Sequence, residues 1–223
     1  DRAASGVALI MVDAHGQNLI GVAPGANATL ALQHVEQAEP SFRSAQVLLA
    51  QLEIPLETVT TAVRLANKWN VRVVLNPAPA RELPVELFRK VILTPNESEA
   101  ARLTGLEDVE QAAKQLLNLG ARAVIVTLGE RGALLATATQ MIIVPGFHVA
   151  PVDSTAAGDA FNAGLAVALA RGEDLPSAVR YGCAVGALSV TQFGAQPSLP
   201  TAAEVEAFFP LNPATARRSQ DGR

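Results

Sequence analysis

From about residue 46 the chain repeats one local pattern: a short β-rich apolar run, then a stretch with apolar residues at helical spacing. The runs at 46–50, 71–75, 91–93 and Ala123–Thr127 read as strands. Between and after them, helices are expected at 55–70, 97–103 and 109–119, with a short one opened by Pro84. Pro55 suits a first helical turn, Val59, Val63 and Ala66 share one helix face, and Gly120 is placed to stop the third helix. An edge hairpin is expected at 133–136 and 140–144, then two alanine-rich helices at Ala157–Ala170 and 176–190. Strands alternating with helices imply an α/β fold: a mostly parallel sheet covered on both faces. Ligands of such sheets bind beyond the carboxyl ends of the strands. Four loops occupy that position, after Ala50, Leu75, Leu93 and Thr127.

Composition narrows the class. With 49% hydrophobic and 17% charged residues in 223, the chain can bury a sizeable core, and its length suits one domain with a small second element. A net charge of 17 − 21 = −4 argues against a nucleic-acid partner. No apolar run reaches the ~18 residues of a membrane span. The single cysteine, Cys183, excludes an internal disulfide and suits a reducing cytoplasm. His15, His34 and His148 lie too far apart for zinc-site spacing, and neither a P-loop nor a G-x-G-x-x-G motif occurs.

The first 28 residues follow another pattern. Two apolar runs, 6–13 and 18–23, flank a turn at 14–16 and read as a hairpin. A lone hairpin is marginal in water, so partner strands are expected, and a segment upstream of Asp1 with them. The residues from 212 to 223 lack apolar periodicity and are expected to be disordered. The expected division is therefore 1–28, 29–211 and 212–223.

One window carries chemistry. Residues 151–164, PVDSTAAGDAFNAG, run a turn of small residues straight into a helix, leaving N–H groups near Ala156, Ala157, Gly158 and Asp159 without intrahelical acceptors. Such an end attracts anions, and Gly158 lets a ligand approach the main chain. Asp159 would repel a phosphate, which makes sense if it takes a proton from a hydroxyl attacking phosphorus. On these residues alone the plainer reading, Asp159 as a helix-start carboxylate and Asp153 as a turn residue, stays open and is the commoner case.

The same window resembles the C-terminal signature of the ribokinase (PfkB) family of carbohydrate kinases. Five further windows match in order: Gln51-Leu-Glu53, Asn76-Pro-Ala-Pro-Ala80, Thr94-Pro-Asn-Glu-Ser-Glu99, Thr127-Leu-Gly-Glu-Arg-Gly132 and Gly194-Ala-Gln-Pro-Ser198. The resemblance implies a ribokinase-like three-layer α/β/α core, residues 29–211, plus a partial β lid at 1–28. It implies ATP-dependent phosphorylation of the 5-hydroxyl of D-ribose, with Mg²⁺ and K⁺. A fructokinase-like or nucleoside kinase, or a nucleotide-binding remnant without turnover, are the alternatives.

Residue by residue, the resemblance makes Asp159 the catalytic base and Ala156, Ala157 and Gly158 the anion hole. Asn96, Thr127, Leu128, Gly129, Glu130, Arg131, Gly132 and Cys183 join Gly158 and Asp159 in the ATP site. Glu99 organises Mg²⁺ indirectly, and Glu53 with Asp159 takes the sugar. Asp153, Thr155, Ser189, Gln192, Gly194 and Ser198 match the K⁺ site. Each has a plainer reading beside it: Asn96 and Glu99 as a helix-start pair, Glu53 as a surface residue opening a helix, Ser198 as an exposed turn serine, Cys183 as helix packing. Cys183 stands where relatives carry histidine, and the family's upstream sugar-gripping Asp and paired glycines are not in this sequence. The expected partners are sugar and ATP, with no nucleic acid or membrane, and a second copy through the lid.

Overall fold

Alternating side chains of one sheet feed two separate cores. The computed structural model describes residues 3–12 and 18–209, so the turn expected at 14–16 and the tail expected at 212–223 lie outside the described residues. Six strands lie in the order β3-β4-β5-β6-β7-β8: Val47–Ala50, Arg72–Leu75, Ile92–Leu93, Ala123–Thr127, Ala133–Ala136 and Met141–Val144. Val73, Leu75, Leu93, Val124 and Val126 face α3 (Leu56–Lys68), α4 (Glu97–Thr104) and α5 (Val109–Asn118). Val74, Ile92, Ala123 and Ile125 face α6 (Ala157–Ala170), α7 (Leu175–Ser189) and α8 (Ala202–Phe208). That is the expected α/β/α sandwich, in which both faces of the strands are buried.

β3 to β6 run parallel, whereas β7 and β8 are antiparallel. The connection from β6 to β7, residues 128–132, is too short for a crossover helix, so the chain must turn back on itself. All four parallel strands therefore point their carboxyl ends at one edge of the molecule. β1 (Val7–Val12) and β2 (Asn18–Ala23) form the expected hairpin as a separate two-stranded sheet.

Local chemistry explains several helix starts. Asn96 and Glu99 exchange side-chain and backbone hydrogen bonds at 2.8 Å each, a capping box for α4. The carboxylates of Asp108 and Asp174 cap α5 and α7 in the same sense. The pattern reading missed α1 (Leu32–Gln37), α2 (Glu39–Ser44) and α8. These are six or seven residues long, shorter than the window over which helical periodicity can be read. Among the described residues no helix is long and apolar enough to cross a membrane.

Candidate active site

The start of α6 stands between two cavities at the carboxyl edge of the sheet. Ala156 is its N-cap, held in the left-handed region at φ 60°, ψ 13°. A left-handed residue entering a right-handed helix curls successive N–H groups into one concavity, which suits an anion. The first intrahelical bond runs from Ala160 N–H to Ala156 O (2.9 Å), so Gly158 and Asp159 keep donors without helical acceptors. The helix dipole adds partial positive charge there.

The smaller cavity, about 330 Å³, is lined by Thr127, Gly129, Glu130 and Gly132 on one wall and Ala157, Gly158 and Cys183 on the other. The larger, about 640 Å³, is lined by Asp159 together with Gln51, Asn76 and Asn162 and an apolar floor that includes Leu48 and Phe42. The helix start thus presents Gly158 to one side and the Asp159 carboxylate to the other. A Cβ built on Gly158 would meet no atom within 4 Å; it would project into free space. Gly132, at φ 96°, packs its Cα against the backbone of residues 144–146, where a side chain has no room.

Asp159 is reachable by solvent, but surrounding protein strips part of its water, and Glu53 adds negative potential. Both push its carboxyl above the ordinary aspartate range. Glu53 sits in the loop before α3 rather than on the helix, whose N-cap is Pro55, and its N–H donates to Gln51 Oε1. Glu53 is exposed, as the plainer reading of a surface glutamate expects, but it precedes the helix rather than opening it and lies close enough to Asp159 to bias its proton.

Other expected residues divide. Leu128 is buried in the α3–α5 core, so only its backbone can face a ligand. Arg131 reaches away to an ion pair with Glu97 at 2.5 Å, which ties the β6–β7 loop to α4. Asn96 lines neither cavity and bridges in parallel to Thr127. Glu99 does what the helix-start reading expects: its carboxylate caps Asn96 N–H, and burial raises its pKa. Burial pushes the Cys183 thiol up to about 12, so it stays neutral and offers the smaller cavity an apolar surface.

Asp153 ties two loops together. Its Oδ1 accepts from Thr155 N–H (2.9 Å) and Thr155 Oγ1 (2.7 Å), and its Oδ2 accepts from Gly194 N–H (2.9 Å). These bonds hold its carboxyl below the usual range. Ser189 O accepts from Gln192 N–H at 3.3 Å in the turn leading to Gly194. Ser198 corrects the expectation of an exposed turn serine: it is 1% exposed and donates to Ala195 O at 2.8 Å. Asp153, Thr155 and Gly194 are brought together; Ser198 lies in the next turn.

Several residues escaped the sequence reading. Phe147, His148 and Phe161 line the smaller cavity, the first two from the irregular stretch after β8, where no periodicity marks them. Gln51, Asn76 and Asn162 fell inside matched windows, yet being uncharged amides they carried no catalytic signal of their own.

The family model described as pfkB family carbohydrate kinase matches residues 1–202. A ribokinase of Haemophilus influenzae is 41% identical over 211 residues, covering 92% of this chain and 69% of that protein. A deoxyribokinase of Salmonella typhi is 37% identical over 215 residues, covering 93% and 70%. The structure of Arabidopsis thaliana ribokinase complexed with ribose and ATP superposes with a TM-score of 0.83 at 31% identity, covering 93% of this chain and 70% of that one. A helix start with free N–H donors between two cavities, on a sheet of this topology and with matches of this extent, makes the chain a member of the pfkB family of carbohydrate kinases.

Proposed function

We propose that the protein transfers the γ-phosphoryl group of ATP to the 5-hydroxyl of D-ribose, giving ribose 5-phosphate and ADP. One observation carries this reading: the Asp159 carboxylate and the Gly158 main chain belong to adjacent residues but face different cavities. ATP fits the smaller cavity, with its phosphates toward the free N–H groups of Gly158 and Asp159; of the expected anion hole Ala156, Ala157 and Gly158, the Ala157 N–H is already given to Ser154 O at 3.2 Å. The sugar fits the larger, with its primary hydroxyl at Asp159 and further hydroxyls within reach of Glu53. Asp159 takes the hydroxyl proton as the sugar oxygen bonds to the γ-phosphorus. The bond from that phosphorus to the β,γ-bridging oxygen breaks, and ADP leaves. Main-chain donors stabilise the charge on the transferred group where it develops.

Among the described residues no group of three His, Cys, Asp or Glu side chains could cage a metal. That suits Mg²⁺, which keeps most of its waters and rides on substrate phosphates. Glu99, with one carboxylate oxygen committed to Asn96, would hold such a water; when bound, Mg²⁺ supplies neutralising charge to the phosphates. Asp153, Thr155, Ser189, Gln192, Gly194 and Ser198 offer oxygen ligands for K⁺, which would stiffen the loop leading into Ala156. A second copy would cover the lid, where Val7, Leu9 and Met11 share one face of β1 at 55%, 69% and 58% exposed. A cytoplasmic setting supplies ATP and suits the lone buried thiol of Cys183.

ADP release measured with ribose, 2-deoxyribose, fructose and adenosine tests the substrate. Ribose is expected to give the highest kcat/KM; preference for another acceptor overturns the sugar, and no acceptor-dependent release overturns the kinase reading.

The pH dependence follows from Asp159. Because its pKa lies above the ordinary aspartate value, kcat/KM should fall as pH drops through that raised value, an acid limb earlier than an unperturbed aspartate would give. Glu53→Gln removes the neighbouring charge, so the limb should move to lower pH. An unmoved limb contradicts the electrostatic link.

A further inference from the structure

The peptide group joining Gly158 to Asp159 is gripped from behind by a buried chain of side-chain hydrogen bonds. Asn162 Nδ2–H donates to Gly158 O at 2.9 Å. Asn162 Oδ1 accepts from Thr94 Oγ1–H at 2.6 Å. Asn76 Nδ2–H donates to Thr94 O at 2.8 Å. Asn162 is 4% and Thr94 1% exposed, so the bond between them is shielded from bulk water, which reaches Asn162 only where it lines the larger cavity.

This chain joins the carboxyl ends of β4 and β5 to the first turn of α6. The direction of each bond matters. The carbonyl of Gly158 and the N–H of Asp159 are two ends of one planar unit, so fixing the oxygen fixes where the N–H points. A second donor on that carbonyl also polarises the unit and strengthens the donor at its other end. Capping alone would need none of this, since the helix already supplies Gly158 O with a backbone partner.

We propose that Asn162, oriented by Thr94, is a positioning residue: it sets the depth and direction of the Gly158–Asp159 peptide, and hence of the catalytic base and its adjoining anion donor, against the ends of the parallel strands. The proposal rests on the kinase reading for its kinetic consequences but not for its structural one. A misplacement of about 1 Å at a reacting group can lower a rate on the order of a hundredfold.

Thr94→Val, close in size, removes the hydroxyl and leaves Asn162 Oδ1 unpaired. Its kcat should fall about ten- to a hundredfold, with the KM for ATP within roughly threefold of the parent and Thr94→Ser restoring most of the rate. Asn162→Asp keeps an acceptor for Thr94 but loses the donor to Gly158 O, and should match Thr94→Val should the latter fold poorly. Amide hydrogen exchange at residues 160–163 should quicken about tenfold in both variants while α7 keeps its protection. Unchanged kcat and unchanged exchange would overturn the tether, as would equal impairment by Thr94→Val and Thr94→Ser. Quickened exchange in the variants, with no acceptor-dependent ADP release from the parent, would overturn the kinase reading and leave the tether standing.

Discussion

Asp159→Asn is expected to lower ribose-dependent turnover by about 10²- to 10⁴-fold, the contribution of a well-placed general base, while ATP still binds. The amide keeps the size of the carboxyl group but cannot take a proton. A melting temperature measured beside the kinetics separates lost chemistry from lost fold. The Asp159 carboxyl titrates above its ordinary value in the fold, so the folded state holds that proton more tightly than the unfolded chain does. Its contribution to stability is therefore full below the unfolded pKa and is lost as pH rises through the folded one. At neutral pH the ionised side chain opposes folding, and replacing it with a neutral amide should leave the melting temperature equal or higher. Turnover surviving in the variant, or lost together with the fold, would contradict the assignment.

Gly158→Val should be nearly as damaging by a different route. A Cβ at this position meets open space, so the fold tolerates it. That space belongs to the smaller cavity, directly in front of the first-turn donors of α6. Two added methyl groups would keep a phosphate from the main chain. The expected result is a rise in the KM for ATP with a fall in kcat on the order of a hundredfold or more, the scale for losing oxyanion-type donors. Unperturbed kinetics would mean that the phosphates do not lie there.

The two variants separate what the sequence makes legible from what it hides. The repeat of apolar runs and helical stretches identifies the layers because β3 to β6 and α3 to α7 are each marked by periodicity, prolines or caps. The short α1 and α2 escape, since six residues complete fewer than two turns and their burial is decided by neighbours far away in the chain. At the site, Asp159 and Gly158 stand out because a carboxylate at an anion-binding helix start is chemically odd. Asn76 and Asn162 do not, since an amide has the same identity whether it faces water or completes a buried relay. Glu53 could not be linked to Asp159 from spacing, for the two are over a hundred residues apart and meet only because β3 ends and α6 begins at one edge of the sheet. The paired role of Asn96 and Glu99 was open in sequence and is resolved locally: the capping box is there, whatever else Glu99 does.

The central claim is a division of labour across the first turn of α6: nucleotide on the Gly158 side, sugar on the Asp159 side. Chemical-shift mapping of backbone amides with a non-hydrolysable ATP analogue and with ribose, added separately, tests it directly. The nucleotide analogue should move Gly129, Gly132 and Cys183, ribose should move Gln51 and Asn76, and both should move Asp159. Ribose shifting the 127–132 loop, or the two ligands perturbing the same residues throughout, would contradict it.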